Sequence, residues 1–583
     1  MPTSPAPAAC LYSAQEHCWL KFTQPLEIFT TRDADKVQAL LRTVEEAAAA
    51  RNCWAVGMVS YEAAPAFDTA LPVYPPTHFP LLWFALFETV ERLPQLSPAD
   101  EITEIDWQAD ISPEHYAFTA AQIKQHIAAG DTYQVNYSFR LQADGTADPW
   151  QLFLHLTQAH SATALSAYCA YIDTGAWAVC STSPELFFSK TGNILLSRPM
   201  KGTQPRGLSF AEDQQRAVWL QQSEKNRAEN VMIVDMVRND MGRVARSGTV
   251  TVPQLFDIEQ YSTVWQMTST VQAETDASLA EIFGALFPPA SITGAPKRQA
   301  MQIIRTLETG PRNIYTGSIG FIDPEQHAQF NVAIRTVLID KATQRAEYGV
   351  GSGIVWDSDL SDEYQECLHK TAVLTHRRSE FSLLESLLWT PEEGLFLIEH
   401  HLRRLQESAQ YFGWNLDLED IGQQLQFCTT RLPDQPHKLR LVVSADGSID
   451  ITAAVLTALP SPYRIALATE PVDPHNVFLY HKTTERSVYK NAVGAVACED
   501  VLLWNTRGEV TESCIANVLY EMEGRWYTPP VASGLLPGVY RAALLEEGVV
   551  QERVLLVSEL AKCSRLRLIN SVRKHWDVEL VTT

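Results

Sequence analysis

The chain has 583 residues, of which 46% are apolar, so it is too long for one hydrophobic core and apolar enough for two or more globular domains. Acidic residues outnumber basic ones by 69 to 46, and the net charge of −23 opposes binding to the phosphate backbone of nucleic acids. The first residues lack a basic segment followed by a long apolar one, and no later apolar run could span a bilayer. We therefore expect a cytoplasmic protein, with neither nucleic acid nor membrane as partner.

Strands and helices are predicted in mixed order along the chain. Apolar or alternating runs predict strands, and helical periodicity predicts helices. Ser209 and Glu212 have the spacing of a capping box, which predicts that a helix begins beside them. The predicted strands cover 54–60, 81–90 and 168–179, and the predicted helices cover 113–129 and 210–244.

A charged patch at 376–380 separates two hydrophobic patterns, the second of which begins at Phe381. We therefore expect one domain at 1–378 and another at 379–583. The ten cysteines are scattered, with no Cys-x-x-Cys pair and no histidine at metal-ligand spacing. This pattern predicts reduced thiols, most of them buried.

The segment Arg198-Pro199-Met200-Lys201-Gly202-Thr203 places a lysine in a predicted tight turn, where a nucleophile would be presented. It resembles the Pro-Ile-Lys-Gly-Thr signature of aminodeoxychorismate synthase component I, whose anthranilate-forming relatives have alanine in place of the lysine. The resemblance implies that Lys201 is a covalent nucleophile that selects the product, with Thr203 in the substrate site. Asn230 supports the same assignment, because anthranilate synthases usually carry histidine there.

Further segments resemble the wider family of chorismate-binding enzymes, and together they cover roughly the first two-thirds of the chain. The resemblance implies an α+β protein whose N-terminal domain is an α/β sandwich of large antiparallel sheets flanked by helices. The matching segments are 130–136, 183–186, 228–240, 291–297, 315–317, 334–336 and 349–355.

Three charged residues share one face of a helix predicted at 361–371: Glu363, Glu366 and Lys370. An isolated pattern of this kind is more often a solvated surface. The family resemblance instead assigns Glu229 and Glu366 as Mg²⁺ ligands and Glu363 as a further contact, often through water. The metal would bridge the protein and a carboxylate of chorismate.

Other residues match the family's substrate site. Arg335 and Lys370 match positions that hold the remaining carboxylate charge of chorismate. Glu185 matches a general acid that protonates the departing 4-hydroxyl, a role that requires a raised pKa. The sequence has no Gly-x-Cys-x-Gly elbow, so the expected source of ammonia is a separate glutamine amidotransferase subunit. The pocket is expected to be shaped by Tyr315, Gly351 and Ser352.

From Phe381 onward the sequence is similar to fold-type IV pyridoxal phosphate enzymes, which include aminodeoxychorismate lyase and the branched-chain and D-amino acid aminotransferases. The resemblance implies a D-amino acid aminotransferase-like α+β domain that binds pyridoxal 5'-phosphate. Four motifs occur in the family's order. They assign Arg404 to the cofactor phosphate, Lys482 to the Schiff base, Glu512 to the pyridine nitrogen, and Gly538 with Val539 to the phosphate loop.

Arg440, Asn570 and Ser571 are further candidates for contacts with substrate or phosphate, and Tyr540 stands where many relatives have threonine. With Lys201 in the first site, the resemblance implies loss of pyruvate in the second and 4-aminobenzoate, a folate precursor, as product. It also implies a homodimer through the C-terminal domain. The alternatives are an anthranilate-forming first site, a branched-chain or D-amino acid aminotransferase as second site, or a C-terminal domain that binds the cofactor without turnover.

Overall fold

The computed structural model describes residues 8–99, 105–145, 148–158, 167–374, 381–493 and 498–581. The chain divides into two compact units. Unit 1 comprises Met1–Pro205 and Ala217–Arg378, and unit 2 comprises Arg206–Arg216 and Ser379–Thr583. The charged patch at 376–380 lies outside the described residues. In the described part of the chain, no helix combines the length and apolar character needed to cross a membrane.

Unit 1 is built mainly from long antiparallel strands. Its described strands are β1 Ala9–Ser13, β2 Cys18–Phe22, β3 Glu27–Thr31, β4 Trp54–Val59, β5 Leu82–Phe87, β6 Glu91–Leu93, β7 Gln108–Ala109, β8 Gln134–Asp144, β9 Tyr168–Asp173, β10 Trp177–Ser183, β11 Leu186–Thr191, β12 Ile194–Arg198, β13 Met200–Pro205, β14 Thr251–Gln260, β15 Val264–Glu274, β16 Gly294–Ala295, β17 Ser318–Ile322, β18 Ala328–Val332, β19 Thr336–Asp340 and β20 Arg345–Ile354.

The helices described in this part of the sequence are α1 Ala34–Arg51, α2 Ala64–Phe67, α3 Pro113–Ala128, α4 Pro149–Gln158, α5 Phe210–Gln222, α6 Glu224–Gly242, α7 Leu279–Leu286, α8 Lys297–Leu307 and α9 Leu360–Thr371. Where one helix was predicted at 210–244, the chain forms two. The break is at Ser223, whose side chain accepts a hydrogen bond from the Asn226 amide and caps α6.

The strands of unit 1 form two ten-stranded antiparallel sheets. The first has the order β16-β8-β20-β19-β10-β9-β1-β2-β6, with β7 beside β8, and the second has the order β13-β15-β12-β11-β18-β17-β4-β5-β3, with β14 beside β15. Buried side chains of both sheets, such as Leu20 and Trp83, meet in one core between them. Helices α1, α6 and α7 cover the outer face of the second sheet, and α3, α4 and α8 pack against the first. The predicted sandwich is confirmed.

Unit 2 also mixes strands and helices, as predicted. Its described elements from Ser379 onward are β21 Leu383–Thr390, β22 Gly394–Leu395, α10 Ile398–Phe412, α11 Leu418–Thr429, β23 His437–Val443, β24 Ile449–Val455, β25 Arg464–Leu467, α12 Ser487–Val493, β26 Asp500–Trp504, β27 Val510–Ser513, β28 Asn517–Met522, β29 Arg525–Thr528, α13 Val539–Glu546, β30 Gln551–Glu552, β31 Arg565–Asn570, β32 Lys574–Asp577 and β33 Glu579–Val581.

Two sheets organise unit 2. The smaller one has the order β22-β21-β23-β24 and is covered on one face by α10 and α11. The larger has the order β30-β29-β28-β27-β26-β25-β33, with β31 paired to β28 and β32 paired to β31. It contains parallel pairs at β25–β26, β25–β33 and β29–β30. Unit 2 also includes 206–216, and Leu208 of this segment packs against the core around Leu479 and Tyr480.

Candidate active sites

A cavity of about 780 Å³ in unit 1 contains all the candidate residues of the first domain. Strands β13 and β20, helices α6 and α9, and the segments around Glu185, Tyr315 and Arg335 contribute its walls. The candidate residues that line it are Glu185, Lys201, Thr203, Glu229, Tyr315, Arg335, Gly351, Ser352, Glu363, Glu366 and Lys370.

Lys201 lies in strand β13 and not in the tight turn predicted from sequence. The pairing of β13 with β15 shifts register between Met200 and Thr203, which marks a β-bulge. Gly202 within the bulge has φ +96°, a backbone conformation that favours glycine. Across the cavity, a Cβ on Gly353 would lie 2.9 Å from Lys201 Nζ, so a glycine there leaves room for the amine.

The backbone around Lys201 is held by amide side chains. Asn230 Nδ2 donates to the Lys201 carbonyl at 3.3 Å, and Gln266 Nε2 donates to the Gly202 carbonyl at 2.9 Å. Thr203 Oγ1 donates to Gln266 Oε1 at 3.0 Å. These contacts fix the bulge from which the lysine side chain projects.

Glu185 is a buried carboxyl group beside this lysine. Burial raises its pKa to about 7, although hydrogen bonds from Ser291 and the Met200 amide and the nearby Lys201 charge favour the ionised form. The Ser291 hydroxyl donates to Glu185 Oε1 at 2.6 Å. Such a group carries its proton over part of the neutral pH range and can donate it.

The three candidate metal ligands are held differently. Glu366 pairs with Lys370 Nζ at 2.6 Å, and Glu363 accepts hydrogen bonds from Ser352 and, at 2.7 Å, from Ser358. Burial raises the pKa of Glu229, and the charges of Glu363 and Glu366 raise it further. Among the residues described, no group of three His, Cys, Asp or Glu side chains is close enough to hold a metal alone.

These carboxylates nevertheless fit Mg²⁺, which usually takes only one or two protein carboxylates and completes its shell with water and substrate. The repulsion that raises the Glu229 pKa is what a dication would relieve. Burial alone would raise the pKa of Glu366, but the Lys370 ammonium outweighs it and holds this pKa below its usual range.

Basic groups face the cavity from two further elements. Arg335 has φ +49°, and within the described ranges no carboxylate lies within ion-pair distance of it. Lys370 Nζ also donates to the Gly351 carbonyl at 2.9 Å. The Tyr315 ring packs on Gly349, where any Cβ would overlap it.

Two features of this site were not predicted. Arg312 is 1% exposed, pairs with Glu308 at 2.6 Å, and donates to the Asn136 carbonyl at 2.8 Å, which braces the segment leading to Tyr315. The buried Gln134 amide has no hydrogen-bond partner in the structure and lies near Gly353 and Lys201. Gln134 falls in the recognised segment 130–136, whereas nothing in the sequence around Arg312 marks it as a buried cation.

The cofactor candidates of unit 2 also meet at one place. Burial and the neighbouring Arg404 guanidinium lower the pKa of Lys482 to about 8. Burial raises the pKa of Glu512 to about 7, and this carboxylate accepts hydrogen bonds from Tyr489, Asn517 and the Leu536 amide at 2.9–3.1 Å. Sequence reasoning did not find Tyr489 or Asn517.

Arg404 lies next to the predicted phosphate loop. It forms a two-point ion pair with buried Glu385, with distances of 2.9 and 2.6 Å, and donates to the Pro537 carbonyl at 3.3 Å. A Cβ on Gly538 would overlap Asn517 Oδ1, so a larger residue would displace the Asn517 side chain that donates to Glu512. Val539 follows as the first residue of α13 and is buried.

The remaining candidates of unit 2 surround Ser386. Arg440 is opposite Ser386 in the sheet register, and Ser571 Oγ donates to the Ser386 carbonyl at 3.3 Å. Asn570 Oδ1 accepts from the Val572 and Arg573 amides and therefore shapes a turn. Tyr540, the departure from the family pattern, has its ring 5.8 Å from that of Phe396.

The residue before Lys482 contacts the segment 206–216. His481 Nε2 is 3.2 Å from the Leu208 carbonyl, and the centroids of the His481 and Tyr411 rings are 4.2 Å apart. The Tyr411 hydroxyl donates to the Gly207 carbonyl at 2.8 Å, and Arg206 lies over the same ring. This segment therefore supports the backbone that carries Lys482.

The residues of unit 2 fit pyridoxal phosphate. Lys482, with its lowered pKa, would supply the amine, and the buried carboxyl group of Glu512 would face the ring nitrogen. Gly538, which packs closely on Asn517, belongs to the loop that would hold the phosphate. His401 Nδ1 is 2.6 Å from Glu385, and its buried Nε2 lacks a partner in the structure, so one polar atom near Arg404 is available to a ligand.

Comparison with known families agrees with this geometry. Residues 88–376 match the model for chorismate binding enzymes, and 382–581 match that for amino-transferase class IV. The chain joins a chorismate-binding enzyme to a class IV aminotransferase domain. The predicted recognition of both families is confirmed.

The first domain is similar to named relatives. It is 40% identical to aminodeoxychorismate synthase component 1 of Escherichia coli (strain K12) over 279 residues, which cover 47% of this chain and 60% of that protein. It is also 40% identical to the Bacillus subtilis (strain 168) protein of the same name over 264 residues, which cover 45% and 55%. The matches thus span less than two-thirds of these relatives.

A solved structure shares the fold. Anthranilate synthase component I from Streptococcus pneumoniae TIGR4 aligns with a TM-score of 0.52 and 23% identity, covering 64% of this chain and 94% of that one. At this identity the similarity shows the architecture alone, and it agrees with the sandwich of unit 1.

Proposed function

We propose that the chain converts chorismate to 4-aminobenzoate in two steps, amination to 4-amino-4-deoxychorismate followed by elimination of pyruvate. One observation carries the proposal: Lys201 projects into the same cavity as Glu185, a buried acid with a pKa of about 7. The names of the relatives of the first domain agree with the first step. The class IV domain agrees with the second.

In the first step, the Lys201 amine attacks C2 of chorismate while Glu185 protonates the 4-hydroxyl, which leaves as water. Ammonia then adds at C4 and the C2–N bond breaks, which returns Lys201 to its free form. Chorismate and ammonia thus give aminodeoxychorismate and water without net redox change. The bulge at β13 would present the amine, and the raised pKa of about 7 leaves part of the acid protonated near neutral pH.

The remaining groups of unit 1 would hold the two substrate carboxylates. Glu229 and Glu366 would bind Mg²⁺, with Glu363 as an outer contact, and the ion would neutralise charge at one substrate carboxylate. Arg335, which has no carboxylate partner among the described residues, and Lys370 would bind the other. Tyr315, Gly351, Ser352 and Thr203 would shape the pocket around the ring.

In the second step, Lys482 would hold the cofactor and then take the proton from C4 of the substrate. A pKa of about 8 leaves part of the amine unprotonated near neutral pH. Pyridoxal phosphate, when bound, supplies the electron sink for this deprotonation. Glu512 would face the ring nitrogen, and Arg404, Gly538 and Val539 would hold the phosphate. Loss of pyruvate leaves an aromatic product, which makes the step favourable.

The ammonia would come from a separate glutamine amidotransferase subunit in the cytoplasm, since the sequence lacks a glutaminase nucleophile motif. We also propose a homodimer through the C-terminal domain. Sedimentation of the holoprotein checks this, because a fully active monomer contradicts it.

Product analysis tests the proposed function. The purified chain is incubated with chorismate, Mg²⁺, ammonium and pyridoxal phosphate, and the products are separated by chromatography. Equal amounts of 4-aminobenzoate and pyruvate are expected. Anthranilate as product contradicts the first step, and aminodeoxychorismate that accumulates without further conversion contradicts the second.

A further inference from the structure

Segment 206–216 lies between two recognised motifs of the first domain in sequence, yet it is part of unit 2. Its Leu208 carbonyl is 3.2 Å from Nε2 of His481, the residue that precedes Lys482. The Leu208 side chain packs on the core that contains Tyr480. The segment therefore contacts the chain directly before the candidate cofactor lysine.

His481 is 3% exposed, and both of its ring nitrogens have partners. A carbonyl oxygen can only accept, so Nε2 carries the hydrogen that is donated to Leu208. Nδ1 is then an acceptor, and the Ser408 hydroxyl donates to it at 3.0 Å. Burial lowers the pKa of His481 to about 3, which keeps the ring neutral and in this tautomer near neutral pH. The imidazole therefore connects the segment to helix α10 in one fixed orientation.

The segment itself is held in one conformation by a buried ion pair. Arg206 and Asp213 form a two-point contact with distances of 2.6 and 2.7 Å, and Asp213 is fully buried. Asp213 Oδ1 also accepts from the Gly207 amide at 2.9 Å, and a Cβ on Gly207 would overlap the Asp213 backbone nitrogen. Desolvation offsets most of the attraction within a buried ion pair, so the geometry that this pair imposes explains it better than stability does.

The backbone at Lys482 is held from two sides. On one side, the Lys482 carbonyl accepts from the Leu384 amide of β21 at 2.9 Å. On the other side, His481 donates to the segment, and its ring centroid is 4.2 Å from that of Tyr411. The Tyr411 hydroxyl donates to the Gly207 carbonyl at 2.8 Å, so the ring beside the histidine is also tied to the segment. A shift of the segment would move the backbone on one side only and change the direction of the lysine side chain.

We propose that segment 206–216 is a functional part of the second active site, and that His481 is the positioning residue through which it aims the Lys482 amine. The proposal rests on the proposed role of Lys482 as the cofactor lysine. Reacting atoms need close placement, and a displacement of about 1 Å can cost about a hundredfold in rate. A change at 206–216, within the sequence of the first domain, would then impair the second step.

The rate of cofactor uptake tests the proposal without turnover. Full-length protein freed of cofactor is mixed with pyridoxal phosphate over a range of pH. The Lys482 amine condenses with the cofactor aldehyde and releases water, and the growth of visible absorbance measures this reaction. Lys482→Ala gives the background from other lysines. Since only the unprotonated amine reacts, the wild-type rate should rise with pH with a midpoint of about 8.

The groups that set this midpoint are known from the structure. Burial, Arg404 and Arg486 lower the pKa of Lys482, whereas Glu385 and Glu512 act in the opposite direction. A displaced amine that gains access to water would lose part of the burial effect, so its pKa should rise. A change in protein stability alone would leave the midpoint where it is.

Three substitutions of His481 separate its two hydrogen bonds. His481→Phe keeps an aromatic ring but loses both, and the uptake rate should fall by about tenfold while the midpoint rises by about half a pH unit or more. His481→Asn can offer a polar atom only near the position of Nδ1 and should behave in the same way. His481→Gln places an amide donor near the position of Nε2, opposite Leu208, and should recover the wild-type rate to within about threefold.

Asp213→Asn tests the segment at a distance from the lysine. It weakens the buried ion pair with Arg206 and should change the rate and the midpoint in the same direction as His481→Phe. Asp577→Asn is the matched control, because it breaks an exposed ion pair with Arg567 in the same unit, and it should match wild type. If Asp213→Asn does not fold, the substitutions of His481 decide the question.

Unfolding temperatures identify a purely structural role. If His481→Phe and His481→Asn unfold at lower temperature but keep the wild-type uptake rate and midpoint, the proposal is overturned. Equal uptake by His481→Gln and His481→Asn would also contradict it, because the contact with Leu208 would then have no special effect.

Pyruvate release from supplied aminodeoxychorismate separates this proposal from the proposed function. A kcat lowered by about tenfold in His481→Asn, with KM within about threefold of wild type, supports the positioning role. If wild type takes up the cofactor faster than the variants but releases no pyruvate, the proposed function fails and the positioning role stands. If wild type releases pyruvate and the variants match its uptake rate and pH profile, the function stands and the positioning role fails. A wild-type protein that gains no absorbance above the Lys482→Ala background contradicts both.

Discussion

The two candidate lysines, one in each unit, have different electrostatic surroundings. Lys201 lies among carboxyl groups, and its charge favours the ionised forms of Glu185, Glu229 and Glu366. Lys482 lies near two guanidinium groups, Arg404 and Arg486, and two carboxyl groups, Glu385 and Glu512. Burial and the guanidinium groups outweigh the carboxyl groups and lower its pKa to about 8. On the proposed function, the comparison teaches that the same side chain can be prepared for covalent chemistry in two ways. Unit 2 lowers the pKa of its lysine, whereas unit 1 places its lysine beside Glu185, whose own pKa burial raises to about 7.

The largest effect is expected from Lys201→Ala. Because this variant removes the proposed nucleophile, aminodeoxychorismate formation should fall by about a thousandfold or more, as for other covalent catalysts. The absorbance of bound pyridoxal phosphate should not change. Chromatography of the products and a visible spectrum check both results, with Lys36→Ala, at an exposed position of α1, as control. Undiminished synthesis would remove Lys201 from the mechanism.

Glu185→Gln sharpens the comparison through its pH dependence. With a pKa raised to about 7, Glu185 is protonated below that pH, so kcat/KM of the first step should fall as pH rises through 7. The glutamine variant should react about a hundredfold more slowly, and its kcat/KM should no longer fall as pH rises through 7. If the variant keeps the wild-type pH profile, the decrease above pH 7 comes from a group other than Glu185.

Glu512→Gln tests the second site alone. A neutral amide cannot keep the cofactor's ring nitrogen protonated, so pyruvate release from supplied aminodeoxychorismate should fall by about a hundredfold. Synthesis of aminodeoxychorismate in unit 1 should be unaffected. Tyr489→Phe, which removes only one hydrogen bond to the same carboxylate, should cost about tenfold or less. Equal rates for Glu512→Gln and wild type would exclude the assigned role.

The smallest effect is expected from Tyr411→Phe. The change removes the hydrogen bond to the Gly207 carbonyl and should cost unit 2 about 1 kcal/mol. The midpoint of heat-induced loss of cofactor absorbance should fall by about 2–4 °C. Tyr540→Phe is the matched control, because it also removes one tyrosine hydroxyl, from a ring that packs on Phe396. This control should leave the midpoint unchanged. If both variants behave alike, segment 206–216 contributes no measurable support to unit 2.

The sequence was most informative where function restricts residue type and spacing. The face formed by Glu363, Glu366 and Lys370 on α9 followed from helical spacing alone, and the candidates of the first site share one cavity. The conformation at Lys201 was predicted wrongly as a turn. A Gly-containing segment suits a turn and a bulge equally, and pairing with the distant strand β15 decides between them.

Long-range contacts account for the rest. The inclusion of 206–216 in unit 2 depends on contacts of Gly207 and Leu208 with residues 204 and 273 positions away, which no local pattern encodes. The buried pair Arg312 and Glu308 looks like an ordinary i, i+4 surface pair in sequence, and only the tertiary structure removes it from water.

The central claim is that Lys201 bonds covalently to chorismate. Wild-type protein is mixed with chorismate and Mg²⁺ without ammonia, quenched, digested and analysed by mass spectrometry. The peptide that contains Lys201 should gain the mass of chorismate less one water, and the Lys201→Ala protein should show no such gain. An unmodified peptide, together with undiminished amination by Lys201→Ala, would contradict the account.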